Sequence, residues 1–138
     1  MFFLSIFIFS SSILISQNLS LEKLNSNLGA SFRGLDVINK KVVWVSGTQG
    51  TVLKTNDGGS TWKDVSVPNN TETDFRDIEA FDDKIAIVMG ISTPARFYKT
   101  NDGGKSWDLV YFNENKEVFF DGMSFWNKNN GIAFSDPV

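Results

Sequence analysis

Two sets of side chains in the sequence have the functional groups for recognition or catalysis. One comprises three arginines, Arg33, Arg76 and Arg96, and two tyrosines, Tyr98 and Tyr111. Guanidinium groups recognise carboxylates because each presents a planar fork of N–H donors. A tyrosine paired with a glutamate can serve as the nucleophile of a glycoside-cleaving enzyme. The other set is an octapeptide written twice, TNDGGSTW at Thr55–Trp62 and TNDGGKSW at Thr100–Trp107. An aspartate beside glycines invites a calcium reading, but an EF-hand loop needs more oxygen ligands and a glutamate at its twelfth position. Here Trp and Lys or Ser follow instead. Gly103-Gly104-Lys105-Ser106 imitates the end of a phosphate-binding loop, yet the glycine required five residues before Gly104 is Lys99. Both octapeptides are therefore read as turns.

Composition removes much of the remaining chemistry. The 138 residues include no Cys and no His. Disulfides, thiol nucleophiles, Ser-His-Asp triads and nearly all zinc sites are excluded. With 13 Lys and Arg against 16 Asp and Glu, the net charge of −3 offers nucleic acid no electrostatic footprint. No dinucleotide fingerprint occurs, and neither cofactor nor metal is expected. The 13 Phe, 4 Trp and 2 Tyr supply enough apolar surface for a core.

Residues 1–16, MFFLSIFIFSSSILIS, carry no charge and contain an apolar run shorter than a membrane-crossing helix requires. The abrupt change to polar Gln17-Asn18 reads as the processing boundary of a signal peptide. This predicts an exported protein, in the periplasm, at the cell envelope or secreted. Membrane contact is then expected only through an uncleaved leader. Residues 17–30 read as a linker or one closing strand.

Beyond residue 30 the sequence repeats. Asp57 and Asp102 stand 45 residues apart, and Phe32, Phe75 and Phe120 begin SFRGLDV-like segments 43 and 45 apart. Periods of this size belong to β-propeller blades or to helical arrays. Strand-type segments decide between them: Phe32–Ile38, Val42–Ser46, Val52–Thr55 and Thr61–Val67, then Phe75–Phe81, Ile85–Met89, Phe97–Thr100 and Ser106–Phe112. The predicted class is all-β, with four-stranded antiparallel units at about 31–68 and 74–113 and the start of a third at about 118–138. That is about two and a half blades, where closed propellers use typically 4–8. The chain is therefore expected to be an N-terminal fragment, or to associate with copies of itself.

Within each octapeptide, Asp57 and Asp102 are expected to accept backbone N–H bonds, and Gly58, Gly59, Gly103 and Gly104 to adopt positive φ. Thr55, Thr61, Thr100 and Ser106 supply hydroxyls, and Trp62 and Trp107 are expected to fold over the turn. Trp44 and Trp126 are expected in the core, and Pro68–Asp74 as an inter-unit loop.

These octapeptides resemble the Asp-box, or bacterial neuraminidase repeat, matching its fixed positions in both copies. The longer runs SFRGLDV, VVWVSGTQGTVLKTNDGGSTW and GIAFSDPV resemble exported propellers of the photosystem II assembly-factor-like and sortilin-like kind. The resemblance covers roughly residues 31–138. It implies a non-catalytic scaffold that binds a protein partner, with arginines as contacts; Arg33, Arg76 and Arg96 are the available ones. Arg33 and Arg76 hold equivalent places in FRG and FRD, where the third unit has Asp121. The alternative it implies is a sialidase-like glycoside hydrolase, which needs three convergent arginines and a Tyr–Glu pair. The repeat itself does not choose, because function resides in sites and not in folds.

Overall fold

The computed structural model describes residues 20–23, 29–91 and 93–137. The apolar leader and most of the segment 17–30 lie outside the described residues.

Strands β1 (Phe32–Val37), β2 (Val43–Gly47), β3 (Val52–Thr55) and β4 (Lys63–Asp64) form an antiparallel meander in that order. Strands β5 (Phe75–Ala80), β6 (Ala86–Gly90), β7 (Ala95–Thr100) and β8 (Asp108–Asn113) repeat it, and β9 (Phe120–Asn127) pairs with β10 (Asn130–Ser135). No helix occurs among the described residues. The first hairpin of each sheet closes on the same device. A side-chain oxygen of Asn39, Asp82 or Asn127 accepts the backbone N–H groups two and three residues ahead, at 2.7–3.1 Å.

One strand is shorter than its apolar pattern suggests. The segment Thr61–Val67 yields only the two-residue β4 because the Ser66 hydroxyl takes the place of a ladder acceptor, receiving the Val52 N–H at 3.1 Å. Asp64 holds Ser66 there by accepting its N–H at 2.9 Å and its hydroxyl at 2.5 Å.

The sheets stack face to face, β1 and β2 on β5, then β5 and β6 on β9. Trp44, Val52, Val65 and Val67 of the first sheet meet Phe75, Ile78, Ala80, Ala86, Val88 and Tyr98 of the second. At the next joint Ile87, Met89 and Phe97 meet Met123, Phe120 and Phe125. Trp44 and Phe75 are fully buried, and large rings of this kind dominate such interfaces. Trp126 departs from the expected core position and is 72% exposed. Along β9, Met123 and Phe125 face the second sheet, so by the two-residue period of a strand Trp126 faces away from it.

Polar contacts repeat across the joints with the same period. The Asp36 carboxylate accepts the Ala80 N–H at 2.6 Å, and its repeat equivalent is Glu79; Asp77 adds a bond of its own, accepting the Met123 N–H at 2.8 Å. Glu79 accepts the Phe125 N–H and the Ser124 hydroxyl, while burial pushes its carboxyl above the usual range. Lys54 Nζ donates to the Asp83 carbonyl at 2.7 Å, and Lys99 Nζ to the Lys128 carbonyl at 2.7 Å. Each lysine immediately precedes the octapeptide threonine, so each unit reaches the next from the same place.

Candidate functional site

Both octapeptides form the same closed turn. Thr55 Oγ1 donates to Asp57 Oδ1 at 2.7 Å and accepts the N–H groups of Asp57 and Gly59. Asp57 then accepts the Thr61 N–H at 2.9 Å and its hydroxyl at 2.6 Å. In the second copy Thr100, Asp102, Gly104 and Ser106 repeat these bonds, and Lys105 adds its N–H to Asp102. Gly58, Gly59, Gly103 and Gly104 have φ of 75, 92, 80 and 80°. Every oxygen of the two aspartates therefore serves the turn, and no group of acidic residues among those described is arranged to hold a metal.

These bonds hold both carboxyls down, from 3.8 to about 2, the hydroxyl of Thr61 or Ser106 contributing most. A carboxyl whose pKa is depressed by folding stabilises the fold above its unfolded value and loses that contribution as pH falls through the folded value. Melting temperature is thus expected to hold steady above about pH 5 and to drop between about pH 4 and pH 2. D57N/D102N should start lower and show a shallower acid decline, as read by circular dichroism across that range. An unchanged acid profile in the double variant would contradict the assignment.

Trp107 also reaches beyond its own turn: its indole Nε1 donates to the Val65 carbonyl of the preceding sheet at 2.9 Å, and its ring packs on the core between the two sheets. Gly104 lies against the same residue, for a Cβ there would stand 2.5 Å from the Val65 Cβ. Lys54 completes this joint, with its ammonium 4.9 Å from the Trp44 ring centroid and 3.4 Å from the Gly103 carbonyl. Burial lowers the Lys54 pKa, and Asp83 opposes that shift. The octapeptide is thus a fastener between units. Trp62, in the first copy, is half-buried.

Of the three candidate arginines, the structure brings two together. Arg33 on β1 and Arg76 on β5 line one open cleft of about 500 Å³ with Asp77 and Asp121. Equivalent strand positions explain this, because successive sheets set them side by side. Arg76 pairs with Asp121 at 3.2 Å, donates from Nε to the Asp121 carbonyl at 3.2 Å, and lies 5.4 Å from the Phe119 ring. The Asp77 oxygens accept the Ile78 and Met123 N–H groups. Arg33 is exposed and has no ion pair among the described residues. Arg96 stays apart, 5.5 Å from the Phe112 ring on its own hairpin.

The tyrosines do not join this cleft. Tyr98 is buried and donates its hydroxyl to Asn70 at 2.8 Å, while Tyr111 stacks with Phe97 and Phe120. Asn70 lies in the Pro68–Asp74 loop, which is further tied by the Gly50 N–H to the Thr73 carbonyl at 2.7 Å. Sequence reasoning did not single out Phe119, Asp77 or the role of Asp121. The signal for Asp121 was present, since it occupies the repeat position of the two arginines.

The likeness to known proteins is consistent across two comparisons. The family described as photosynthesis system II assembly factor YCF48 matches residues 15–118. A solved structure of YCF48 bound to D1 peptide superposes with a TM-score of 0.64 at 19% identity, covering 78% of this chain and 35% of that one. YCF48 from Cyanidioschyzon merolae gives a TM-score of 0.52 at 26% identity, covering 66% and 30%. The chain therefore spans about a third of the length of these solved structures. No curated protein matches it. With stacked four-stranded sheets and a family match over well more than half its residues, the chain belongs to the YCF48 photosynthesis system II assembly factor family.

Proposed function

We propose that this chain is part of a non-catalytic propeller scaffold that holds a protein partner during assembly, and that the Arg33–Arg76 cleft contacts that partner. One observation carries the reading: Arg33 stands exposed and, among the described residues, without an ion pair, beside a second guanidinium in an open cleft between two interlocked sheets. A rigid β scaffold presenting a guanidinium suits capture of a carboxylate-bearing segment. The solved relative bound to D1 peptide makes that peptide the first probe to try. The apolar leader supports placing the scaffold outside the cytoplasm, and the units at 31–68, 74–113 and 118–138 are its blades.

Charge reversal tests this. In calorimetric titration of D1 peptide into the full chain, R33E/R76E is expected to weaken binding roughly tenfold or more, as loss of a charge-assisted contact does. R96E, on a separate hairpin, should bind like the unmodified protein. Peptide capture that survives R33E/R76E unchanged would remove the cleft from consideration.

A further inference from the structure

The cleft holds two guanidiniums in different states. At the joint of the first and second sheets, the repeat position is Arg33 on one side and Arg76 on the other, so like charges face each other across it. At the next joint Arg76 meets Asp121, and the same geometry becomes an ion pair. One repeat position thus carries an arginine twice and its counter-ion once.

We propose that Asp121 is a built-in competitor for the partner at this cleft: its carboxylate occupies Arg76 until a carboxylate of the bound peptide displaces it. This rests on the partner reading above and adds its regulation. The four charged groups lining the cleft cancel formally, so the resting site draws anions only through Arg33. Asp77 is committed to two backbone N–H groups and holds the strands in place. Asp121 is bound chiefly through the ion pair, whose side chains are 38% and 28% exposed. Solvent screening makes such half-exposed pairs weak, and an incoming carboxylate can exchange with one at small cost. Arg76 remains positioned during the exchange, because its Nε bond to the Asp121 carbonyl and its seat over Phe119 do not depend on the Asp121 side chain. The result is a two-step site. Arg33 makes the first contact, and Arg76 engages only a segment able to outcompete Asp121.

The test is fluorescence anisotropy with labelled D1 peptide and the full chain, using peptide with a free and with an amidated C-terminus to separate a chain-end carboxylate from a side-chain one. D121N is expected to bind roughly two- to fivefold tighter, the range spanned by a half-exposed pair, and to weaken more steeply with salt. R76Q/D121N should fall back to the affinity of R76Q, because Asp121 acts through Arg76. If D121N unfolds, the unmodified chain decides: the resonance of the Arg76 Nη–H group, which pairs with the Asp121 carboxylate, must shift when peptide saturates the site. Unchanged or weaker binding by D121N, the same gain in an R76Q background, or an unmoved resonance would overturn the proposal. Should R33E/R76E bind like the unmodified chain, the partner reading fails. Should arginine dependence persist without an Asp121 effect, only the competition fails.

Discussion

Replacing Trp44 by alanine is expected to cost the chain about 3–5 kcal/mol, the range for removing a fully buried large aromatic. Trp44 has no exposed surface, joins Val65 and Val67 to Phe75, Ile78 and Ala80, and donates its indole N–H to the Asp82 carbonyl at 3.1 Å. Its loss opens a void between two sheets and removes the bond that fixes one sheet's first hairpin to the other. W44F should be milder. It keeps part of the volume but loses the bond to the half-buried Asp82 carbonyl, costing about 0.5–1.5 kcal/mol for that bond. Urea denaturation followed by circular dichroism checks both, and W44A within about 1 kcal/mol of the unmodified chain would show that the sheets do not stack through this residue.

Gly104→Ala is the second large effect, and its cause is different. The residue has φ of 80°, where an L side chain is strained by about 1–2 kcal/mol. The added carbon would stand 2.5 Å from the Val65 Cβ and 3.0 Å from its Cγ2, a degree of overpacking that costs about 1–3 kcal/mol more. The two contributions can be separated. V65G/G104A removes the neighbour's Cβ and both Cγ atoms and should recover the overpacking part once V65G alone is subtracted, leaving the backbone strain. Additive losses in that cycle would mean that the turn does not press on the preceding sheet.

How much of this was legible beforehand follows from the range of each interaction. Strand positions were, because alternation and turn residues act over a few neighbours; the two aspartate–glycine turns needed no distant partner. The short β4 was not, because a side-chain hydroxyl from Ser66 replaces a backbone acceptor and no periodicity reports that. Trp126 was misplaced for a related reason: alternation says which residues share a face, but not which face meets a neighbour. Trp107 illustrates the same limit. Its indole bond to Val65 spans 42 residues, and only stacked sheets bring the two together.

The cleft falls between these cases. That Arg33 and Arg76 share a face follows from their equivalent places in FRG and FRD, and the separation of Arg96 follows from its place on β7, a different strand of its unit. The pairing of Arg76 with Asp121 required knowing that equal repeat positions lie next to one another across a joint.

Whether a protein partner is held at the Arg33–Arg76 cleft can be read from hydrogen–deuterium exchange on the full chain with and without D1 peptide. Slower exchange is predicted in residues 32–36, 75–78 and 119–123, which carry the cleft. Protection confined to 95–113, with those three segments unchanged, would contradict it.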